Sequence, residues 1–174
     1  MQRNDDGNLR RLMSNETWTV ARVLDWTASY FQDKGFDSAR LDAELLISDA
    51  LSIDRVGIYL QHHKPLQPKE LAEIRARVQR RGNHEPVAYI TGTRGFWEHD
   101  FKVDPRVLVP RPETEHLVEA AIQYLADIEE PQVVDVGCGS GCIAISVAQA
   151  VTGAKVLGID LSSDALVLAQ ENAT

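Results

Sequence analysis

Through the first half of the chain apolar residues recur at helical spacing, and after Pro131 short apolar runs alternate with longer helical stretches. In WTVARVLDWTASYFQDKG the spacing predicts a helix with Val20, Val23, Leu24, Thr27 and Phe31 on one face and Gly35 as its stop. SARLDAELLISDALSI predicts a second, with Ser38 at its N-cap and Leu41, Leu45, Leu46 and Ala50 as its apolar stripe. DRVGIYLQHH reads as a short third helix begun by Asp54. After the breaks at Pro65 and Pro68, KELAEIRARVQRRG reads as a fourth, closed by Gly82. Helices joined by such short loops imply a small antiparallel bundle.

The character changes at Glu85. PVAYITGTRGFWEHDFKVDPRVLVPRP is rich in β-branched and aromatic residues, with Gly92 and Gly95 between its runs, which predicts a β-hairpin or bent two-stranded ribbon. PRPETEHLVEAAIQYLADI predicts a helix with Pro112 near its first turn and Glu113 and Glu115 at the positive end of its dipole. Then come a strand in QVVDVG, a helix in GCIAISVAQAV, a strand in AKVLGIDL and a helix in SSDALVLAQENAT with Ser162 or Ser163 as cap. That order makes a parallel sheet with right-handed crossovers. The expected organisation is a disordered tail at 1–15, a helical domain at 16–84, a β-hairpin linker at 85–110 and the beginning of an α/β domain at 111–174.

Composition narrows the class. A length of 174 residues with 44% apolar content allows one domain or two small ones. No apolar run approaches the ~18 residues of a membrane span, and the N-terminus lacks the apolar core of a secretory signal. The net charge of −8 argues against broad nucleic-acid binding. Arg75, Arg77, Arg80 and Arg81 are a local exception: a solvated helix face, or a docking surface for RNA or an acidic partner. The two cysteines, Cys138 and Cys142, match no zinc spacing and read as small residues in a tight turn. His62 and His63 point in different directions on a helix, and the five histidines show no metal-ligand spacing, so no metal site is expected. A reducing cytoplasm fits best.

The candidate chemistry lies in DVGCGSGCIA, residues 135–144. Read as a dinucleotide fingerprint from Gly137, the sixth position is Cys142 and fails. Read from Gly139 the pattern passes at Ala144, but it starts late relative to the strand. Asp135, two residues before Gly137, would repel a pyrophosphate at the helix N-terminus. S-adenosylmethionine carries a sulfonium and an ammonium instead, and both favour a nearby carboxylate. Gly137, Gly139 and Gly141 let the backbone turn sharply and approach a ligand. Asp160 ends the second strand, at the spacing of an acid that accepts hydrogen bonds from ribose hydroxyls.

EPVAYITGTRGFW, VLVPRPETE, DVGCGSG and LAQENA together resemble the HemK (PrmC) protein-glutamine methyltransferases, which modify peptide chain release factors. The resemblance implies an α-helical N-terminal bundle that binds the protein substrate, a β-hairpin linker, and the first half of an α/β Rossmann-like S-adenosylmethionine-dependent methyltransferase domain. It implies that Asp135, Gly137, Cys138, Gly139, Ser140 and Gly141 surround the cofactor, that Asp160 binds its ribose, and that Arg111, Thr114 and Glu115 shape the mouth of the site.

The implied reaction is methyl transfer to the glutamine side-chain amide in the Gly-Gly-Gln motif of release factors. The family's catalytic Asn-Pro-Pro-Tyr is absent from this sequence, so no catalytic residue is assigned. The expectation is an N-terminal portion, inactive alone, with a second domain that is less stable than the first and prone to self-association. The alternatives are a DNA or RNA adenine-amino methyltransferase and a non-catalytic module that binds release factors or ribosomes. The acidic balance counts against the former.

Overall fold

The computed structural model describes residues 17–174, so the tail expected at 1–15 lies outside the described residues. The helical spacing of the first half becomes α1 (Val20–Asp33), α2 (Ala39–Leu51), α3 (Arg55–Leu60), α4 (Pro68–Gly82) and α5 (Val87–Thr91). They form one of two compact units, which meet in the sequence between Thr91 and Gly92. Each helix start has a local cause. The Thr19 hydroxyl accepts from the Arg22 amide at 3.3 Å, and the Asp54 carboxylate accepts from the Gly57 amide at 2.6 Å. Glu70 reaches back to accept from the Gln67 amide at 2.7 Å, the return half of a capping box.

The face predicted for α1 is the buried one: Val20, Val23, Leu24, Thr27 and Phe31. It packs with Leu46, Ile47, Ile58, Ile74 and Val78 in the core of this unit. Burying each large apolar side chain contributes ~1.5–3 kcal/mol. Gly82, expected as a stop, is instead the last residue of α4. A Cβ there would lie 2.7 Å from the Tyr30 hydroxyl, so the residue serves close packing.

Several expectations differ from the structure here. The stripe of α2 is not Leu41, Leu45, Leu46 and Ala50, since Leu41 is exposed while Asp42, Ala43, Glu44, Leu46, Ile47 and Ser48 are buried. Neighbouring helices surround α2 and bury its acids, which are satisfied by partners. Glu44 accepts from both Arg40 and Arg55 and from the Tyr59 hydroxyl. Ser38 stands at the N-cap of α2, but its hydroxyl donates to Asp42 at 2.8 Å instead of capping an amide.

Residues 87–91 are helical, not part of the ribbon. Burial of Ala88 and Ile90 in this unit overrides the β propensity of Val87, Tyr89 and Thr91. His62 and His63 follow the end of α3 in a turn, where their ring centroids come within 3.8 Å. Nor are the α4 arginines a simply solvated or free face. Arg77 donates to Asp49 at 2.6 Å and Glu73 at 2.8 Å, Arg80 pairs with Glu85, and Arg81 donates to Asp42 at 2.8 Å while stacking on Phe36.

The second unit begins with an antiparallel hairpin, β1 (Thr93–Phe96) and β2 (His99–Lys102). Trp97 turns it with φ 55°, an uncommon conformation for a bulky residue. Its amide is held by Glu115 Oε1 at 3.1 Å. A 3₁₀ turn at Pro112–Thr114 leads into α6 (Glu115–Leu125), followed by β3 (Gln132–Val136), α7 (Cys142–Ala150), β4 (Lys155–Ile159) and α8 (Ser163–Asn172). Ser162 caps α8, its hydroxyl accepting from the Ala165 amide at 3.2 Å. β3 and β4 pair in parallel, with Asp135 opposite Gly158 and Val136 opposite Ile159. Phe96, Phe101, Val118, Leu125, Cys142, Val147 and Val151 form the core of this unit. Val134, Val136, Leu157 and Ile159 lie on the open face of the sheet. No helix among the described residues is long and apolar enough to cross a membrane.

Candidate functional site

The parallel pairing of β3 and β4 puts Asp135 and Asp160 at neighbouring strand ends, with the glycine loop between β3 and α7. Backbone geometry explains two of the three glycines. Gly137 and Gly139 have φ 78° and 52°, and a Cβ on either would meet nothing within 4 Å, so conformation and not crowding calls for glycine. Gly141, with φ 78°, is both left-handed and crowded: its Cβ would lie 3.1 Å from Ile145 and 3.3 Å from Ala169. The loop is pinned at its start. The amides of Gly137 and Cys138 both donate to the Ile159 carbonyl, at 2.8 and 3.0 Å.

The two carboxylates do structural work and differ in environment. Asp135 Oδ2 accepts from the Ala144 amide in the first turn of α7 at 3.2 Å. Burial pushes the Asp135 carboxyl above its ordinary range, the neighbouring Asp160 charge adds to this, and the Ala144 hydrogen bond only partly opposes it. No cationic side chain among the described residues pairs with Asp135. Asp160 accepts from the Ser162 amide and the Gly139 amide, each at 2.9 Å, and these bonds hold its carboxyl below the ordinary range. It therefore ties the glycine loop to the start of α8. Each carboxylate oxygen retains capacity for a second hydrogen bond.

Both thiols are buried and free, and burial pushes each above its ordinary value. That opposes thiolate chemistry, despite the nearby helix N-terminus. Cys138 occupies the space left by Gly158, where a Cβ would come within 3.1 Å of its sulfur. Ser140 is buried in the loop. Of the signature residues, Glu115 holds the Trp97 amide, and Arg111 is exposed ahead of the 3₁₀ turn. A cavity of about 400 Å³ opens between α7, β4 and α8, lined by Cys138, Gly141, Ala144, Leu157, Leu166 and Ala169 among others. Asp135, Gly137, Gly139 and Asp160 do not line it, so this apolar cleft is separate from the carboxylates. Among the described residues no group of histidines, cysteines and acids is placed to hold a metal ion.

One participant escaped the pattern of the sequence. Asn172, at the end of α8, bonds the glycine loop and β2 at once. Its only signal was membership of LAQENA, which carried no hint of a partner 32 or 70 positions away.

Comparison with known proteins gives this geometry a family context. Residues 22–92 match the PrmC N-terminal domain, and residues 129–174 match a methyltransferase domain. A release factor glutamine methyltransferase of Geobacter sulfurreducens is 48% identical over 158 residues, covering 91% of this chain and 55% of that protein. Proteins of the same name from Chlorobaculum tepidum and Rhodopirellula baltica are 44% and 43% identical, with the same two coverages. The chain thus spans about half the length of the relatives it matches. A helical unit that matches the PrmC N-terminal domain thus precedes a methyltransferase match around the glycine loop, in a chain similar to about half of each of these release factor glutamine methyltransferases.

Proposed function

We propose that this chain forms part of an S-adenosylmethionine-dependent enzyme that methylates the glutamine side-chain amide in the Gly-Gly-Gln motif of peptide chain release factors. The observation that carries the reading is the pair of acids flanking an open glycine loop, in a chain whose first unit matches the PrmC N-terminal domain. The bound cofactor would supply a methyl group on a cationic sulfur. Asp135, negative and without a cationic partner among the described residues, suits the positive charge of such a ligand. The backbone from Gly137 to Gly141, with Cys138 and Ser140, would surround its methionine part, since nothing stands where Cβ atoms of Gly137 and Gly139 would lie. Asp160, held ionised by two amides, would accept from the ribose hydroxyls with its remaining lone pairs. Arg111 and Thr114 would border the mouth of the site, with Glu115 fixing the hairpin beside them.

In this reading the helical unit that ends at Thr91 binds the protein substrate, and the unit from Gly92 onward, hairpin included, is the start of a Rossmann-like catalytic domain. An amide nitrogen is a weak nucleophile because its lone pair is delocalised. Catalysis would come from alignment of that nitrogen with the methyl group, an effect able to supply ~7–11 kcal/mol. The residues present supply cofactor binding and substrate placement, and none is assigned to the chemical step.

The test is a titration of S-adenosylmethionine and of NAD into the protein, followed at the amides of Gly137–Gly141. The expected result is shifts with the former at up to millimolar concentration. NAD binding tighter than S-adenosylmethionine would overturn the cofactor assignment. A methylation assay on a release factor and on an oligonucleotide, in a protein carrying these residues at the relatives' full length, tests the substrate. Transfer to oligonucleotide alone would favour the adenine-amino reading.

A further inference from the structure

Asn172 makes three hydrogen bonds with one carboxamide. Its Oδ1 accepts from the Lys102 amide at 2.8 Å, and its Nδ2 donates to the Lys102 carbonyl at 3.1 Å and to the Ser140 carbonyl at 2.9 Å. The first two bonds imitate a strand pairing with the end of β2. The third fixes the Ser140–Gly141 peptide, whose amide donates to the Cys138 carbonyl at 2.8 Å. Gly141 directly precedes α7 and is left-handed like Gly139, so this peptide decides how the loop turns into the helix. The same end of α8 is tethered to the hairpin's exit by charge: Glu171 accepts from Arg106 at 3.2 Å, and Arg106 also grips Asp104. Asp160 and Asn172 therefore hold two consecutive residues of the loop, one at the Gly139 amide and the other at the Ser140 carbonyl.

We propose that Asn172 is a positioning residue of the cofactor site: its carboxamide holds the glycine loop in ligand-ready form and couples it to the β1–β2 hairpin. The inference rests on the proposal that this loop binds S-adenosylmethionine. Without the carboxamide, the Ser140–Gly141 peptide keeps only the bond from the Gly141 amide to the Cys138 carbonyl, and the ligand must then complete its ordering on binding. A group that acts only as mortar between α8 and β2 would lower stability and leave affinity alone.

The experiment compares wild type, Asn172→Ala and Arg106→Ala in the 174-residue chain. Arg106 tethers the same two elements but does not touch the glycine loop. S-adenosylmethionine is titrated to millimolar levels with amide NMR detection, and urea midpoints are measured in parallel. Asn172→Ala should weaken the ligand about tenfold, the effect of losing one or two hydrogen bonds, with Arg106→Ala within about twofold of wild type. Equal affinity for wild type and Asn172→Ala overturns the inference, as does an equal loss in both variants. Should Asn172→Ala fail to fold, hydrogen exchange on wild type decides. Ligand should slow exchange of the Lys102 amide, whose acceptor is Asn172, and an unchanged Lys102 rate refutes the coupling. No shift of the loop amides in wild type at millimolar ligand overturns the cofactor reading itself, and the inference with it.

Discussion

Removing the carboxylate of Asp42 tests whether the α4 arginines are internal ties or a docking face. Arg81 and Asp42 meet at 2.8 Å with side-chain exposures of 16% and 7%, so the pair is nearly dry. Breaking such a pair by deleting one partner costs ~3–5 kcal/mol, because a charge is left in the interior. Arg81 keeps two consolations, the Glu85 carbonyl at 3.1 Å and the Phe36 ring 3.9 Å from its guanidinium carbon. They place Asp42→Ala at the lower end, about 3 kcal/mol, which is a large fraction of the ~5–15 kcal/mol that holds a typical domain together. Arg81→Met leaves Asp42 with only the Ser38 hydroxyl among these partners and should cost about 2 kcal/mol. Asp42→Leu combined with Arg81→Met removes both charges together and should return to within about 1 kcal/mol of wild type. Urea unfolding of the whole chain, followed at the amides of α2 and α4, measures all three. A loss below about 1 kcal/mol for Asp42→Ala would refute the internal tie and restore a freely available basic face. The corollary concerns function: reversing Arg77, Arg80 and Arg81 to Glu should unfold the helical unit before it reports on any partner.

Four further outcomes concern the second unit. Cofactor affinity should fall as pH drops through the raised range of Asp135, because protonation removes the charge that attracts the ligand; Asp135→Asn should bind roughly 10–100-fold more weakly at neutral pH and show a flat profile by calorimetry. A carboxyl raised by burial also costs stability when ionised, so Asp135→Asn should raise the thermal midpoint of the free protein, and an unchanged or lower midpoint would contradict the desolvation argument. Asp160→Ala should weaken S-adenosylmethionine by about 10–100-fold and also speed exchange of the Gly139 and Ser162 amides; faster exchange with unchanged affinity would leave Asp160 a purely structural tie. The sheet face of Val134, Val136, Leu157 and Ile159 is 58%, 77%, 59% and 42% exposed, so the chain should self-associate; sedimentation of Val136→Lys with Leu157→Lys should show the monomer recovered.

What was legible in the sequence followed the range of the interaction. The face of α1, the capping role of Asp54 and the alternation of strand and helix after Pro131 depend on neighbours within a few positions, and periodicity reads those directly. The stripe of α2 failed because burial there is set by helices on several sides. Asp42 and Glu44 look like solvent residues until their arginines, 39 and 11 positions away, are in place. The short helix at 87–91 failed for the same reason, since β-branched residues take the backbone that buries Ile90. In the candidate site the glycines and the two acids were legible as a pattern, while their partners were not.

Those partners change what each acid can be asked to do. In the sequence Asp135 reads from its charge beside the glycine loop and Asp160 from its spacing, as two anions for one ligand. Each in fact accepts a backbone hydrogen bond from the loop or from the helix that follows it, and the two are driven in opposite directions, one up by burial and one down by amides. The acid with the lowered range can stay ionised and keep the loop shaped whether or not a ligand is present. The acid with the raised range is destabilising when ionised, and a positive charge placed beside it relieves that cost. An anionic ligand would raise that cost further. The proposed preference for a cationic cofactor over a pyrophosphate predicts proton release on S-adenosylmethionine binding near the Asp135 range, and binding without proton release there would refute it.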